Sequence, residues 1–202
     1  MRDLSRNFVP VSFSRLETGS TVTDDELMVR GARGDEEALQ LLVERWEKPV
    51  FAFLERMVGS REEAQDLGQE TFLRVCRHAA RYKPSGKFKS WLFRIAGNLA
   101  RSRLRYRKVL QWVRYVPGLH DPLSAEAVAD ERLQNEHVRE SVRAVLAKLP
   151  VRQREAIVLR QYEGWSYQEI ADTMQITVSA VESLLHRGMA KMRKDLIKKK
   201  VL

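Results

Sequence analysis

What is scarce in this 202-residue chain narrows its chemistry first. It has one cysteine, Cys76, which excludes an internal disulfide and fits a reducing compartment. Its helical spacing with Phe72 and Ala79 predicts a small buried hydrophobe rather than a redox group. No uninterrupted apolar run approaches the roughly 18 residues of a membrane span, and the N-terminal stretch lacks the apolar segment of a signal peptide. A cytoplasmic placement is therefore expected. The four histidines, His78, His120, His137 and His186, are scattered without metal-ligand spacing. A glycine-rich phosphate loop is missing as well, because Gly86-Lys87 lacks the upstream glycine. Carboxylates are plentiful, but none is paired in a suggestive polar pocket. The expectation is a protein that is not an enzyme and needs no cofactor, metal or small-molecule substrate. Strand-like alternation is also absent, which leaves an all-α fold.

Basic residues are abundant. The net charge is +9 and the pI about 9.9, which points to an anionic partner. The distribution says more than the sum. From Thr23 to Leu73 there are six Lys and Arg against thirteen Asp and Glu. From Arg74 to Lys108 there are twelve Lys and Arg and no acid at all. Such a split suits one face for a protein and another for a polyanion.

Helical caps and stripes divide the chain into two small helical domains joined by a flexible linker. Residues 1–22 show no period and are expected to form a flexible extension. Thr23 with Glu26 is a capping box that starts a short helix stopping near Gly34. Asp35 caps the next helix, which carries Ala38, Leu41, Leu42 and Trp46 to about Val58, with a kink or brief break expected at Pro49. Ser60 with Glu63 is another capping box, and the helix to about Arg81 has the apolar line Ala64, Leu67, Phe72, Val75, Cys76 and Ala79. The loop Y-K-P-S-G-K-F-K-S follows. Trp91, Leu92, Ile95, Ala96 and Leu99 then mark a fourth helix and close a first domain over 23–108. Residues 109–130, with Pro117, Gly118 and Pro122, read as the linker. About twenty extended residues at roughly 3.3–3.6 Å each span about two turns of DNA at ~34–36 Å per turn, enough for two modules to occupy separated sites. The second domain, 131–202, opens with Val138, Val142, Val145 and Leu146 and breaks at Leu149-Pro150.

Its last part is the sharpest pattern in the chain. Ser166 with Glu169 is a capping box for a helix carrying Ile170, Ala171 and Met174. A turn falls around Gln175 to Thr177, and Val178, Val181, Leu184 and Leu185 give a second stripe with Thr177 as N-cap. This is a helix-turn-helix over residues 167–187, in which the second helix of a DNA-binding version enters the major groove. Thr177, Ser179, Ala180, Ser183, His186 and Arg187 point outward on that helix, and Arg187 and Lys191 suit phosphates better than bases. Glu182 either accepts from a cytosine amino group or keeps the helix soluble.

Four stretches in order resemble one family. A-Q-D-L-G-Q-E-T-F-L-R-V (Ala64 to Val75), F-K-S-W-L-F-R-I-A-G-N-L-A-R (Phe88 to Arg101), L-P-V-R-Q-R-E-A-I-V-L-R (Leu149 to Arg160) and E-G-W-S-Y-Q-E-I-A (Glu163 to Ala171) resemble bacterial RNA polymerase sigma factors of the extracytoplasmic-function type. The resemblance implies that Asp66, Gln69, Glu70 and Phe72 contact the β′ clamp helices of core polymerase, with exposed Leu73 as an apolar anchor. The bland alternative is a solvated helix face. It implies capture of the non-template strand of a −10-like element by the loop and helix carrying Tyr82, Lys83, Ser85, Lys87, Lys89, Asn98 and Arg101. Trp91 is expected in the core rather than as a stacking platform, while Arg103, Arg105 and Arg107 are either phosphate contacts or a solvated face. It assigns the helix-turn-helix to a −35-like element and implies the β flap of core polymerase as a further partner. It further implies an anti-sigma partner, often membrane-bound, that would hold the chain at the membrane. The chain departs from the family's usual residues at Gly68, Gln175, Glu182 and Leu184, so base preference does not transfer. Two other classes compete: a free-standing helix-turn-helix regulator that binds duplex DNA as a dimer, and an interaction protein whose basic face binds RNA. The acidic helix placed before the basic aromatic segment is unnecessary for a simple repressor.

Overall fold

The computed structural model describes residues 22–113, 131–199 and 201. Apart from Val22, the expected N-terminal extension lies outside the described residues, as does the expected linker beyond residue 113. Among the described residues there are eight α-helices, one 3-10 turn and no strand.

Helix α1 (Asp24–Gly31) begins at the predicted capping box, in which the Thr23 hydroxyl accepts from Glu26 N and the Glu26 carboxylate accepts from Thr23 N. Helix α2 (Glu36–Val58) is capped by Asp35, whose Oδ1 accepts from Ala38 N at 3.0 Å. Where a kink or brief break is expected at Pro49, the helix runs through unbroken. A proline inside a helix costs ~3 kcal/mol. The turns that follow it bury Val50, Phe53, Leu54 and Met57 completely, and each such side chain contributes about 1.5–3 kcal/mol. Burial wins. Gly59 then takes the left-handed conformation at φ 76°, a region closed to most side chains, and reverses the chain into α3 (Arg61–His78).

The buried line of α3 is Ala64, Leu67, Thr71 and Val75, continued by Ala79 in the 3-10 turn Ala79–Arg81. Cys76 is exposed, against the expectation of a buried thiol. One residue past Val75 the helix has turned by 100°, and Thr71, its hydroxyl bonded back to Leu67 O at 2.7 Å, takes the apolar role that the pattern assigned elsewhere. The predicted capping box at Ser60 is half formed. Ser60 Oγ accepts from Glu63 N, but the Glu63 carboxylate turns to the helix that follows and pairs with Arg107 at 3.1 Å and Arg103 at 3.7 Å. Two arginines offered for phosphate contact are thus engaged within the fold.

Helix α4 (Phe88–Val113) extends five residues beyond Lys108. The start of the expected linker is therefore helical. Its buried side chains Phe88, Leu92, Phe93, Ala96 and Ala100 pack against α2 and α3. The remaining helices are α5 (Glu131–Ala147), α6 (Val151–Gln161), α7 (Tyr167–Met174) and α8 (Val178–Lys198). Val145 and Leu146 of α5 are buried as predicted, while Val138 is exposed. The sequence allowed two separated modules; in this structure they touch. Helix α4 packs on α7 and α2 on α6, with the Phe93 ring between Phe53 (5.2 Å) and Trp165 (5.0 Å).

Gly68 lies inside α3, and the nearest tertiary neighbour of a β-carbon there would be Leu54 Cδ1 at 3.9 Å, an ordinary contact. Gly68→Ala should therefore stabilise the protein by about 1 kcal/mol, raising the thermal midpoint by ~2–4 °C. A fall in the midpoint on calorimetry would show that the glycine is required for packing.

Candidate nucleic-acid interface

The solvent side of α3 is a continuous stripe. Asp66, Gln69 and Leu73 are exposed at helical spacing, and Leu73 is 50% exposed, high for a leucine with no polar duty. Glu70 flanks the stripe and accepts from Arg74 Nε at 2.7 Å, which pulls its carboxyl below the ordinary value. Phe72 sits at the edge, packed against the core. The stripe therefore consists of Asp66, Gln69 and Leu73, with Glu70 beside it and Phe72 turned inward.

Beside the 3-10 turn lies a cleft of about 560 Å³ lined by His78, Arg81, Tyr82, Lys83, Ser85, Lys87, Ser90, Trp91, Arg94 and Asp172. Four of the expected strand-capture residues, Tyr82, Lys83, Ser85 and Lys87, are together here. Trp91 is half-buried and lines the cleft while its ring lies 5.0 Å from that of Tyr82, so it is both core edge and cleft wall. Sequence reasoning passed over His78, Arg81, Ser90 and Arg94. The last two could have been found, since Ser90, Trp91 and Arg94 share a helix face at i, i+1 and i+4.

Lys89, Asn98 and Arg101 lie elsewhere. Lys89 Nζ stands 4.3 Å above the Trp165 ring and 3.9 Å from Glu169, and burial pushes its ammonium down from the ordinary lysine value despite the nearby acids. Arg101 donates to Glu155 and to Asn98 Oδ1. Lys87, in the cleft, pairs with Asp172 at 2.7 Å. Three of the cations expected to meet DNA are thus matched to carboxylates on α6 and α7.

Glu155 is the most buried of these acids, with no solvent exposure. Its Oε1 takes the Arg101 bond, while Oε2 has no partner. Burial raises its carboxyl above the ordinary value, against the attraction of Arg101. Room for it comes from Gly97, where a β-carbon would fall 2.5 Å from Glu155 Oε1 and 3.3 Å from Arg101 Nη1. Next to it Arg154 is likewise buried and donates to Met57 O and Ala147 O.

The helix-turn-helix forms as read. Ser166 and Glu169 complete their capping box, and Thr177 Oγ1 accepts from Ala180 N at 3.2 Å. Gln175 takes φ 54°, ψ 52°, the left-handed geometry that costs a non-glycine residue ~1–2 kcal/mol. On α8, Val181, Leu185, Gly188 and Met192 are buried, with Gly188 against Ile157. Thr177, Ser179, Glu182, Ser183, His186, Arg187 and Lys191 are exposed and Ala180 is half-buried. Most of the outward face predicted for this helix is solvent-exposed, although Lys191 Nζ donates to Lys148 O at 3.4 Å.

Two stretches match known families: residues 42–110 match Sigma-70 region 2 and residues 139–192 match Sigma-70, region 4. The RNA polymerase sigma-H factor of Pseudomonas aeruginosa is 32% identical over 86% of this chain and 93% of its own length. The ECF RNA polymerase sigma factor SigE of Mycolicibacterium smegmatis is 34% identical over 90% of this chain and 68% of its own. The chain belongs to the extracytoplasmic-function sigma factors. It is a promoter-recognising initiation factor of bacterial RNA polymerase. Among solved structures, that of CnrH in complex with the cytosolic domain of CnrY superposes with a TM-score of 0.64 at 28% identity, covering 87% of this sigma factor and 97% of that chain. No helix among the described residues is long and apolar enough to cross a membrane.

The raised carboxyl of Glu155 fixes the sign of a pH effect. Between the unfolded and folded values the folded state holds a proton that the unfolded state has lost, so stability falls as pH rises through that window. Arg101→Ala would leave the buried charge unpaired and cost about 3 kcal/mol near pH 7.5. Below the ordinary glutamate range the acid is neutral and the difference should shrink. Urea unfolding of both proteins at the two pH values checks this; a deficit independent of pH would place the loss elsewhere.

Proposed function

We propose that this sigma factor divides its work among three surfaces. The α3 stripe of Asp66, Gln69 and Leu73, flanked by Glu70, binds core polymerase at the β′ clamp helices, and the second domain meets the β flap. The cleft of Tyr82, Lys83, Ser85 and Lys87 accepts an unstacked non-template base of the −10-like element. The exposed start of α8, from Thr177 to Arg187 with Lys191 beyond it, reads the −35-like element in the major groove. The observation that carries the reading is the cleft itself, which combines aromatic walls for stacking with cations for the flanking phosphates. Strand separation then follows from capture of the exposed base, without nucleotide hydrolysis.

Bases entering the cleft must compete with Asp172 for Lys87, and duplex approaching α4 must compete with Glu155 for Arg101. On this reading the described arrangement is a closed one, in which α6 and α7 present carboxylates where DNA would present phosphates, and promoter binding requires it to open. A partner that favours the closed form would hold the factor inactive. An anti-sigma protein is the class of partner that the family implies, and the complex of CnrH with the cytosolic domain of CnrY supports it. The factor itself is proposed to work in the cytoplasm, held at the membrane only through such a partner.

The test is to mix the purified protein with core polymerase and a supercoiled promoter library and to map transcript starts. Specific initiation that needs both components is expected; tight duplex binding without initiation would favour the free-standing regulator instead. Asp66→Arg should weaken core binding by roughly tenfold or more, through like-charge repulsion or loss of a polar contact, while circular dichroism stays unchanged. Unaltered affinity would move the polymerase face off α3. Arg187→Ala should weaken −35 binding about evenly across sequences and lower the salt slope by about 1. A loss confined to one base position would make Arg187 a base reader.

A further inference from the structure

The cleft has a support that none of its own residues supplies. Helix α1 begins with two adjacent acids that do different things. Asp24 pairs with Arg45 of α2, which fixes the helix to the core. Asp25 faces the opposite way and accepts three hydrogen bonds from the loop between the 3-10 turn and α4. The Tyr82 hydroxyl donates to Oδ1, and the backbone N–H groups of Ser85 and Gly86 both donate to Oδ2 at 2.7 Å. These contacts cross 57 to 61 residues of sequence. An acid in the first turn of a helix is favourable with the helix dipole alone, but a dipole does not account for three donors converging on one carboxylate.

The donors define what the carboxylate does. Successive backbone N–H groups aimed at one oxygen form a concave anion seat, and Gly86 reaches that seat at φ 68°. With Asp25 in place the loop turns its backbone inward to α1. Its side chains at Lys83, Ser85 and Lys87 then line the cleft. Tyr82 is held at its other end by ring contacts with Phe88 and Trp91, so its hydroxyl bond to Asp25 sets the tilt of the cleft's aromatic wall. Although partial burial pushes the Asp25 carboxyl up, the bonds from Tyr82, Gly86 and Ser85 bring it below the ordinary aspartate value. It is therefore an anion throughout the neutral range. Without it, two backbone donors would lose their acceptor and the Tyr82 hydroxyl its partner.

We infer that Asp25 is a positioning residue for promoter melting: it touches no nucleic acid but holds the Tyr82–Lys87 loop in the shape that accepts an unstacked base. This rests on the base-capture reading of the cleft, and the experiment separates the two. Holoenzyme made with full-length protein is titrated with a fluorescein-labelled oligonucleotide carrying the non-template −10 strand of a mapped promoter. Core affinity and binding of a −35 duplex are measured beside it. Asp25→Ala should lower affinity for the single strand by at least roughly tenfold, the scale of losing bonds to a charged group, with core and −35 binding within about twofold of wild type. Asp25→Asn keeps a carbonyl oxygen for the two backbone donors and an amide that can donate to the Tyr82 hydroxyl, so it should recover most of the loss. Single-strand binding by Asp25→Ala equal to wild type would overturn the inference. So would a deficit shared equally by core and −35 binding, or one that Asp25→Asn does not relieve. If Lys83→Ala and Lys87→Ala also bind the single strand normally, the cleft is not the capture site and both readings fall. If they lose affinity while Asp25→Ala does not, only the role of Asp25 falls.

Discussion

The ring of Phe93, buried between Phe53 and Trp165, is the contact on which the arrangement of this sigma factor depends. It makes α4 a helix with two packed sides, one against α2 and α3 and the other against α6 and α7. A buried aromatic pair contributes about 0.5–1.5 kcal/mol beyond the area it covers, and Phe93 makes three, with Trp46, Phe53 and Trp165. The ionic contacts of Lys87, Lys89 and Arg101 surround this apolar seam. The exposed pairs Lys87–Asp172 and Lys89–Glu169 add only about 0–1 kcal/mol each, whereas Arg101–Glu155 is buried and breaking it on one side alone is costly. On the proposed reading, opening this contact would free cations that phosphate could pair in place of the carboxylates.

Much of this was legible in the sequence, for a physical reason. Caps and stripes are local, so Thr23, Asp35, Ser166 and Thr177 announced their helices, and the outward face of α8 followed from the buried phase of Val181 and Leu185. The cleft loop was legible because cations and aromatics interleave there without an acid. What stayed hidden was long-range. Glu63 had the spacing of a capping box yet serves α4. Arg101 and Lys87 looked like free cations because Glu155 and Asp172 lie 54 and 85 residues away. Cys76 was misplaced by a single helical step, because Thr71 could not be counted as apolar before its hydroxyl was seen bonded to Leu67 O. Asp25 carries no signal in the sequence, because its partners lie 57 to 61 residues further along the chain.

The departures from the family's usual residues sort by depth. Gln175 keeps the left-handed turn despite its β-carbon, and two bonds to Ala171 O, from its own N–H and from Ile176 N, help to hold it there. The turn between α7 and α8 thus keeps its left-handed geometry, and the strain is confined to Gln175. Glu182 is exposed and Leu184 half-buried, so neither disturbs the scaffold. The helix that carries them is held by its packing on α6 and α7.

Gly97 gives the closed seam a steric condition. Only a hydrogen atom fits between the α4 backbone and the Glu155 carboxylate, so positions 97 and 155 cannot drift separately. A larger residue at 97 would expel the acid, and an aliphatic residue at 155 would strand the Arg101 guanidinium. Two sites 58 residues apart in the chain are thus sterically coupled. A substitution at either position therefore acts on the packing of both halves of the chain at once.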